Sequence, residues 1–540
     1  MTSLEKTEKT VVEVNLETVS VSEFTPVGEP SIISRLFYAQ RSMEKQYEEV
    51  RHQRGLHWWN DWMYKLLRIN SLEPKSDDYP TWNNDSLSLR TSHWFVCAGI
   101  LTSEIMGASL VPNSIALVGY VTGNIILIVC FFLTILAGGV TWWLFLLLDS
   151  PEYPIKSLAD IAYVLGGKTW RHIVIFLQLI AMILTAANCG IGALESAVIL
   201  QDKRYCWSGL LILFCGVACV VCHIRSLSNL GKFCLTVSVI NYICLAVQLG
   251  FYGEPNWQNA KNLLGLDPAP VVASNFVTQT LVYKLVAISN ISYVFAGSVV
   301  FPEILSEMRR PWDFWKTMLA SQMAILGCYL IYGNYVYSQQ GQFANSPAVF
   351  GIANVKAMKG LAFIGVFVGG IQAVLYGHIS AKIAYKNYLD EIIKNLAFHS
   401  KKGQFLWSTS VVTVWIVIFV LATGVPNVPS ISSFTSALTM IPLTYVIPYW
   451  FNIWGYFIKQ NAEMIESFDP TTGVVVGYNK PMSKFMAAGF KNNVLLTLFY
   501  VCLSLASLAF AGMGLYGSVE YMKDIFANTP ATSFSCTSPI

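Results

Sequence analysis

The chain has 540 residues, of which 54% are hydrophobic and only 12% are charged, and its mean hydropathy is +0.50. Soluble domains carry about 25% charged residues, so this composition excludes an ordinary soluble protein and predicts one that crosses a membrane many times. The net charge of +3 is too small to predict a nucleic-acid surface, and the twelve Cys show no metal-ligand spacing, so neither nucleic acid nor a metal is expected.

Residues 1–90 are predicted to form a cytoplasmic N-terminal arm. The first thirty residues are rich in Glu, Thr, Val and Ser, which predicts disorder, and they lack the apolar core of a signal peptide. Residues 32–67 are aromatic and charged, with Trp58, Trp59 and Trp62 close together. This second half of the arm either lies along the membrane surface, covers the inner face of the bundle, or is a partly helical tail with no specific role.

The next part of the chain, residues 91–520, is predicted to be the transmembrane domain. A membrane-spanning helix needs about 20 apolar residues, fewer if it is interrupted. Eleven segments meet this requirement, near residues 92–118, 120–147, 172–200, 206–223, 232–252, 281–302, 316–338, 357–385, 405–424, 431–458 and 491–517. Residues 521–540 are then a short extracytoplasmic tail.

The distribution of basic residues predicts the orientation of these spans. If the N-terminus is cytoplasmic, Lys and Arg in the inner loops outnumber those in the outer loops by about three to one, as the positive-inside rule requires. Because the number of spans is odd, the C-terminus is then extracytoplasmic.

Two of the apolar segments are interrupted in the same way. Gly107 precedes Pro112, and Gly297 precedes Pro302, with four residues between Gly and Pro in each case. Broken helices survive in a membrane only where they face protein or a wet cavity, and a matching pair points to the central site of a transporter. The broken segments are spans 1 and 6, which cross in opposite directions. The pattern therefore predicts an all-α fold with a 5+5 inverted repeat plus one extra helix.

A free amino acid fits such a pair of breaks, because half-helix N-termini attract its carboxylate and unpaired carbonyls attract its ammonium group. We expect the carboxylate to meet N–H groups near residues 107–109 and the ammonium group to meet carbonyls of residues 102–106 and 295. The alternative is that each Gly only permits close helix packing. The predicted substrate-binding residues are Thr102, Ser103, Ile105, Met106, Gly107, Ala108, Ser109, Asn188, Tyr293, Phe295, Ala296, Gly297 and Ser298.

Three ionisable residues within spans are candidates for carrying a coupled proton. Placing a carboxylate such as Glu104 inside a membrane costs free energy and therefore indicates a function. Glu104 could instead pair with a cation or cap a half-helix. Glu195, near the outer end of span 3, is the second candidate, with a snorkelling or gate residue as the alternative. His378 is the third, although together with Lys382 it also fits an ordinary positive helix end.

Nothing in the sequence predicts an enzyme. It contains no phosphate-binding loop and no nucleophile motif, and His378, the one plausible acyltransferase His, has no acidic or amide partner before it at short spacing. No cofactor is expected beyond the proton as coupling ion.

Residues 295–304 read Phe-Ala-Gly-Ser-Val-Val-Phe-Pro-Glu-Ile, and residues 307–314 read Glu-Met-Arg-Arg-Pro-Trp-Asp-Phe. This run resembles the sixth span and following loop of the amino acid/auxin permease family, in particular its fungal neutral amino acid permease-like branch. Weaker similarities at residues 107–123, 153–168 and 375–382 follow in the family's order. The resemblance implies the fold of the amino acid–polyamine–organocation superfamily and proton-coupled uptake of amino acids by alternating access.

The sequence departs from that family at the predicted site. Residues 107–112 read Gly-Ala-Ser-Leu-Val-Pro where the family often has Gly-Ile-Leu-Ser-Leu-Pro, and Ser298 stands where His or another polar group is common. Span 8 has Gly369 and Gly370 in place of the hydroxyl pair of sodium-coupled relatives, which favours a proton. No basic residue is predicted at the pocket's centre, which favours neutral substrates.

The expectation is therefore a proton-coupled transporter of neutral amino acids in the plasma membrane, with the vacuolar membrane as the alternative location. The rival function is an amino acid sensor on the same fold, which binds its ligand but transports little. Deleting residues 1–85 would separate the two functions, because a transporter should retain uptake and a sensor should lose its output.

Overall fold

The structure is a computed structural model that describes residues 31–51, 57–72, 90, 92–201, 204–223, 228–385, 401–425, 427–465, 467–469, 475–476, 490, 493–528, 534 and 536. The described part of the chain is almost entirely helical. Its α-helices are α1 Ile32–Arg51, α2 His57–Leu67, α3 Trp94–Thr102, α4 Val111–Val118, α5 Tyr120–Leu148, α6 Leu158–Leu200, α7 Trp207–Cys222, α8 Ser228–Leu249, α9 Trp257–Leu264, α10 Leu281–Val294, α11 Phe301–Glu307, α12 Phe314–Gln340, α13 Val355–Ala384, α14 Lys401–Gly424, α15 Val428–Thr435, α16 Ile447–Glu463 and α17 Val494–Asn528. Two short strands, β1 Ser467–Phe468 and β2 Val475–Val476, pair antiparallel.

Helices occupy all eleven predicted spans, which confirms an all-α polytopic membrane protein. Among the described residues, eight helical stretches are long and apolar enough to cross a membrane, and the pair formed by α10 and residues 296–307, bent by 41°, is a ninth. The shorter apolar helix α7 and the apolar part of α8 lie at the predicted fourth and fifth spans. The two-residue strands are too small to change this class.

Both predicted breaks are present. The first span is α-helical to Thr102, continues as a 3₁₀-helix over Ser103–Leu110, and becomes α-helical again at α4 with Pro112 in its first turn. The second break has the same order, with a 3₁₀-helix over Ala296–Val300 and Pro302 in the first turn of α11. Proline fits the first turn of a helix because its missing N–H would be unpaired there anyway.

The two breaks pack against each other at Gly107. A Cβ atom added to Gly107 would lie 2.2 Å from Cγ1 and 2.6 Å from Cβ of Val294, the last residue of α10. Such a distance leaves no room for any side chain at residue 107. Gly107 therefore permits close helix packing, which was the alternative interpretation, and it also lies within the helix break.

The two broken spans are also joined at the ends that were predicted to be cytoplasmic. Ser92, just before α3, forms a parallel bridge with Met308, just after α11. Its N–H donates to the carbonyl of Glu307 at 3.2 Å, and its own carbonyl accepts from the N–H of Arg309 at 2.9 Å.

Helix α6 differs from its prediction at its beginning. It starts at Leu158, whereas the predicted span starts at residue 172, and Ser157 caps its first turn by accepting from the N–H of Asp160. Gly167 has a φ of 78°, which L side chains rarely adopt, and it separates a first short segment from the long one that packs along α13. The hydrophobic pattern predicted only the long segment.

The arm helices α1 and α2 cover one end of the bundle, and whether that end is the inner face, as the second alternative for residues 32–67 has it, stays a prediction. At the start of α12, Trp312 donates from Nε1 to Asn60 Oδ1 and from its backbone N–H to Gln46 Oε1, both at 3.1 Å. Arg310 pairs with Glu49 at 2.7 Å. We call this end of the bundle the arm face and the opposite end the far face. Residues 1–30, whose disorder was predicted, lie outside the described residues.

Within the arm, Tyr47 links the two helices by donating to Asp61 Oδ1 at 2.6 Å. Burial and this carboxylate raise the pKa of Tyr47 to about 12. The phenol therefore keeps its proton, and with it this hydrogen bond, at every physiological pH.

A disulfide between Cys206 and Cys536 ties the start of α7 to the C-terminal tail. Helix α6 leads from the arm face to Cys206, so the disulfide lies at the far face. Helix α17 ends at Asn528, beyond the expected start of the tail at residue 521.

Candidate functional site

Two cavities lie on either side of the helix breaks. The outer cavity, toward the far face, has a volume of about 140 Å³, and the inner cavity, toward the arm face, has about 70 Å³. Gly107, Cys189 and Tyr293 line both of them. The breaks therefore stand at the division between the two cavities, near the middle of the bundle.

Helices α6 and α13 form one wall of both cavities. Asn188 and Ser196 on α6 line the outer cavity together with Gly369 on α13, whereas Thr185 and Gln372 line the inner one. Gly369 is needed for this wall, because a Cβ there would lie 3.2 Å from both Ala193 Cβ and the carbonyl oxygen of Cys189.

The cavities are polar but uncharged. In the part of the chain that the structure describes, no Asp, Glu, Lys, Arg or His lines either of them. Their polarity comes from side-chain amides and hydroxyls, among them Gln248 and Asn241 on α8. The sequence analysis did not name these α8 residues, although an isolated amide within an apolar span is a signal of a functional site.

A hydrogen bond crosses the division between the cavities. Asn188 donates from Nδ2 to the hydroxyl oxygen of Tyr293 at 3.3 Å, which joins α6 to the end of α10. The other amide atom, Asn188 Oδ1, is buried without a hydrogen-bond partner among the described residues. An unsatisfied buried acceptor next to both cavities is available to a donor on a ligand.

At the second break, side-chain hydroxyl groups donate hydrogen bonds to the backbone carbonyls that the break leaves unpaired. Tyr329 on α12 donates to the carbonyl of Val294 at 3.0 Å, and Thr134 on α5 donates to that of Phe295 at 3.3 Å. Thr134 is itself 2.8 Å from the hydroxyl of Tyr445, which lies in a π-helical stretch between α15 and α16. These contacts hold the break in place, and they also occupy the Phe295 carbonyl that was expected to meet an ammonium group.

The structure brings some of the predicted binding residues together and places others elsewhere. Ser109 and Asn188 line the outer cavity, Ala296 and Gly297 line the inner cavity, and Gly107 and Tyr293 line both. The predicted residues that line neither cavity are Thr102, whose hydroxyl donates to the carbonyl of Gly99 at 2.8 Å, and the buried Ala108, Phe295 and Ser298.

The remaining predicted residues of the first break have side chains outside what the structure describes. These are Ser103, Glu104, Ile105 and Met106. Their backbone forms the 3₁₀-helix between α3 and α4.

The other two proton candidates are buried and line neither cavity. Glu195 is 4% exposed, and its Oε2 has no hydrogen-bond partner among the described residues. His378 is 3% exposed, has Nδ1 3.4 Å from the carbonyl oxygen of Cys222, and packs edge-on against Trp407.

A buried ion pair lies at the arm face. Arg90, just before the first span, donates to both carboxylate oxygens of Asp149 at 2.7 Å, and both side chains are less than 10% exposed. Asp149 Oδ1 also accepts from the N–H of Ile155. Burial raises the pKa of Asp149, and Arg90 opposes that rise.

Residues 90–469 match the family described as "Transmembrane amino acid transporter protein". The chain belongs to this family. It is a family of transporters, so membership supports the transport of amino acids across a membrane and not catalysis.

Relatives of this chain are fungal transporters of low identity. A "Transmembrane transporter" of Fusarium pseudograminearum is 22% identical over 376 residues, which cover 68% of this chain and 76% of that protein. A "Transmembrane transporter" of Gibberella moniliformis is 23% identical over 56% of this chain and 63% of its own length. An "N amino acid transport system protein" of Neurospora crassa is 20% identical over 65% of this chain and 73% of its own length.

Proposed function

We propose that this protein is a secondary active transporter that takes up neutral amino acids together with protons by alternating access. The observation that carries this proposal is the pair of uncharged cavities that meet at two broken helices. The family supplies the substrate class, and the Neurospora crassa relative, named as an amino acid transport system protein, agrees with it.

The backbone of the first break supplies the recognition of the substrate's carboxylate. N–H groups near Gly107 and Ser109, both of which line the outer cavity, lie just before α4, where the positive end of its helix dipole also acts. On the facing wall, Asn188 Oδ1 is an unpaired acceptor for the ammonium group.

The absence of charge in the described cavity walls supports neutral substrates. A second carboxylate or ammonium group on the substrate would be buried there without an opposite charge, which is strongly unfavourable. Selectivity among neutral amino acids would then depend on the size and polarity of the substrate's side chain, because both cavities are small.

Alternating access would use the division between the cavities. The hydrogen bond between Asn188 and Tyr293 lies between them, so a substrate must pass it to move from one side to the other. In this structure the arm helices and the pair of Arg90 with Asp149 lie at the arm face, at the end of the inner path.

The disulfide supports the orientation of the transporter. Disulfides persist in oxidising compartments and are rare in the cytosol. The bond between Cys206 and Cys536 lies at the far face, so we assign that face to the outside, or to the lumen if the protein is vacuolar, and the arm face to the cytoplasm.

Radiolabelled uptake tests the proposal. Cells that express the protein are offered neutral, acidic and basic amino acids at acidic and neutral pH, with and without a protonophore. The expected result is acid-stimulated, protonophore-sensitive uptake of neutral amino acids only. Uptake that is indifferent to the protonophore would contradict proton coupling, and equal uptake of glutamate or lysine would contradict neutral selectivity.

The same uptake assay, applied to a chain without the arm, separates a transporter from a sensor. The arm is packed into the bundle through Trp312 and Arg310, which is the contact that a signalling arm would need. A chain lacking residues 1–85 that still takes up amino acids is a transporter. If the full chain reaches the membrane and binds an amino acid without accumulating it, the sensor function replaces the proposal.

A further inference from the structure

Glu303 is a half-buried residue immediately beyond the second break. It lies in the first turn of α11, directly after Pro302. Its Oε1 accepts a hydrogen bond from Nε2 of Gln178 on α6 at 3.3 Å. Its Oε2 is buried and has no hydrogen-bond partner in the described part of the chain.

The pair formed by Glu303 and Gln178 lies next to the inner cavity. Val300, three residues before Glu303, lines that cavity, and so does Met182, four residues after Gln178. Three or four residues are one helical turn. The pair therefore lies one turn from the cavity wall on both helices, on the side toward the arm face.

No positive charge among the described residues balances Glu303. The ionisable group that faces it is another acid, Asp160, near the start of α6. Helix α5, which packs against α11, contains no Asp, Glu, Lys, Arg or His. Arg171 on α6 lies over the ring of Tyr163, with its Cζ 5.8 Å from the ring centroid.

Three further charged or titratable groups of these two helices near Glu303 in sequence are directed to solvent. Lys168 and His172 on α6 are exposed, as is Glu307 on α11. The N–H groups of Glu303 and Leu158 and the amide of Gln178 favour an ionised Glu303, but burial of its carboxylate and the like charge of Asp160 disfavour it.

We propose that Glu303 is the residue that carries the coupled proton, an inference that rests on the proton-coupled function proposed above. Glu303 binds one proton at its carboxylate while the inner cavity is closed to the cytoplasm. When the arm face opens, water reaches Oε2 and the carboxylic acid gives one proton to the cytoplasm. When the far face opens next, the carboxylate takes up one proton that enters from that side with the substrate. Gln178 donates to Oε1 in either protonation state and so holds the group in position.

Reconstituted full-length protein tests this role with Glu303→Gln, which keeps the shape of the side chain but cannot release a proton. Two activities are measured in liposomes, namely exchange of labelled for unlabelled neutral amino acid without a gradient, and accumulation driven by a proton gradient. The variant should retain exchange and lose accumulation to the level without a gradient, and its uptake should no longer depend on pH.

Glu195→Gln is the matched control, because Glu195 is the other carboxylate in the described part of the chain that has a buried oxygen without a hydrogen-bond partner, and it lies on the far-face side of the breaks. It should retain gradient-driven accumulation. Accumulation that survives Glu303→Gln, or is lost in Glu195→Gln alone, overturns the assignment. A wild-type protein that exchanges substrate but never accumulates it in a proton gradient instead overturns the proposed coupling itself.

Asp160→Asn keeps the proposal testable even if Glu303→Gln does not fold. Removing the like charge should make Glu303 easier to ionise, so half-maximal uptake should move to lower pH, by roughly one pH unit at most. An unchanged pH profile in a variant with normal uptake would overturn the assignment.

Discussion

Replacing Gly107 by Ala should push apart the two broken helices. The new Cβ would lie 2.2 Å from Cγ1 of Val294 and 2.6 Å from its Cβ. Non-bonded carbon atoms pack at about 3.5–4.0 Å, so the helices must separate by more than about 1 Å or Val294 must move. Val294 ends α10, and its carbonyl is bound by Tyr329, so it has little freedom to do so.

The size of the effect follows from the cost of overpacking. An extra methyl group in a well-packed core typically costs about 1–3 kcal/mol. If that cost falls on the state in which the breaks are in contact and not on the opened states, the population of the contact state falls by a factor of about 5 to 150. Uptake should fall by a similar factor, because every transport cycle must pass through this state.

The assay is the initial rate of neutral amino acid uptake, divided by the amount of protein in the membrane. Gly139→Ala and Gly327→Ala are the controls, because a Cβ at either position has nothing within 4 Å, and both should keep wild-type rates. Adding Val294→Ala to Gly107→Ala removes the atom at 2.2 Å and leaves the one at 2.6 Å, so the double variant should recover part of the rate. A wild-type rate in Gly107→Ala, or a double variant no better than the single one, would refute the reasoning.

Four further variants test three other contacts. Tyr293→Phe removes a hydrogen bond worth about 1 kcal/mol between the cavities, so KM for neutral amino acids should change several-fold at unchanged membrane amount; an unchanged KM would mean that this bond is not part of the substrate path. Asp149→Asn leaves Arg90 buried without a counter-charge, which should lower stability by about 3–5 kcal/mol and reduce the Tm in detergent, and an unaltered Tm would argue against the pair. Cys206→Ser and Cys536→Ser should lower the Tm equally, by an amount that corresponds to about 2–4 kcal/mol. Both variants should lose the mobility difference between reducing and non-reducing gels that the wild type is expected to show, and unequal shifts would argue against the disulfide.

The sequence was informative about the spans and the breaks because both are local features. A run of about 20 apolar residues marks a span wherever it occurs, and a Gly and a Pro five positions apart mark a break in such a run. The predicted breaks near Gly107 and Gly297 therefore coincide with the 3₁₀-helical stretches of the structure. Gly167 shows the limit of such prediction, because the change of backbone direction at this residue does not alter the hydrophobic pattern.

Contacts between distant residues could not be predicted in this way. Gln178 and Glu303 are 125 residues apart, and the two Cys of the disulfide are 330 residues apart. Neither pairing has a periodic signal, since each depends on which helices become neighbours in the folded bundle. Glu303 was visible in the sequence only as part of a Phe-Pro-Glu motif, and its lack of a charged partner in the described region appeared only with the fold.

The bridge between Ser92 and Met308 bears on how the transporter moves. Two backbone hydrogen bonds fasten the half-helix that precedes the first break to the half-helix that follows the second. Backbone bonds of this kind do not depend on side-chain chemistry, so they persist when side chains change partners. The two half-helices are thus coupled through their backbones. A movement of α3 away from the bundle would move α11 with it, and the carboxylate of Glu303 would move with α11. Opening the cytoplasmic path and exposing the proposed proton site would then be one mechanical event.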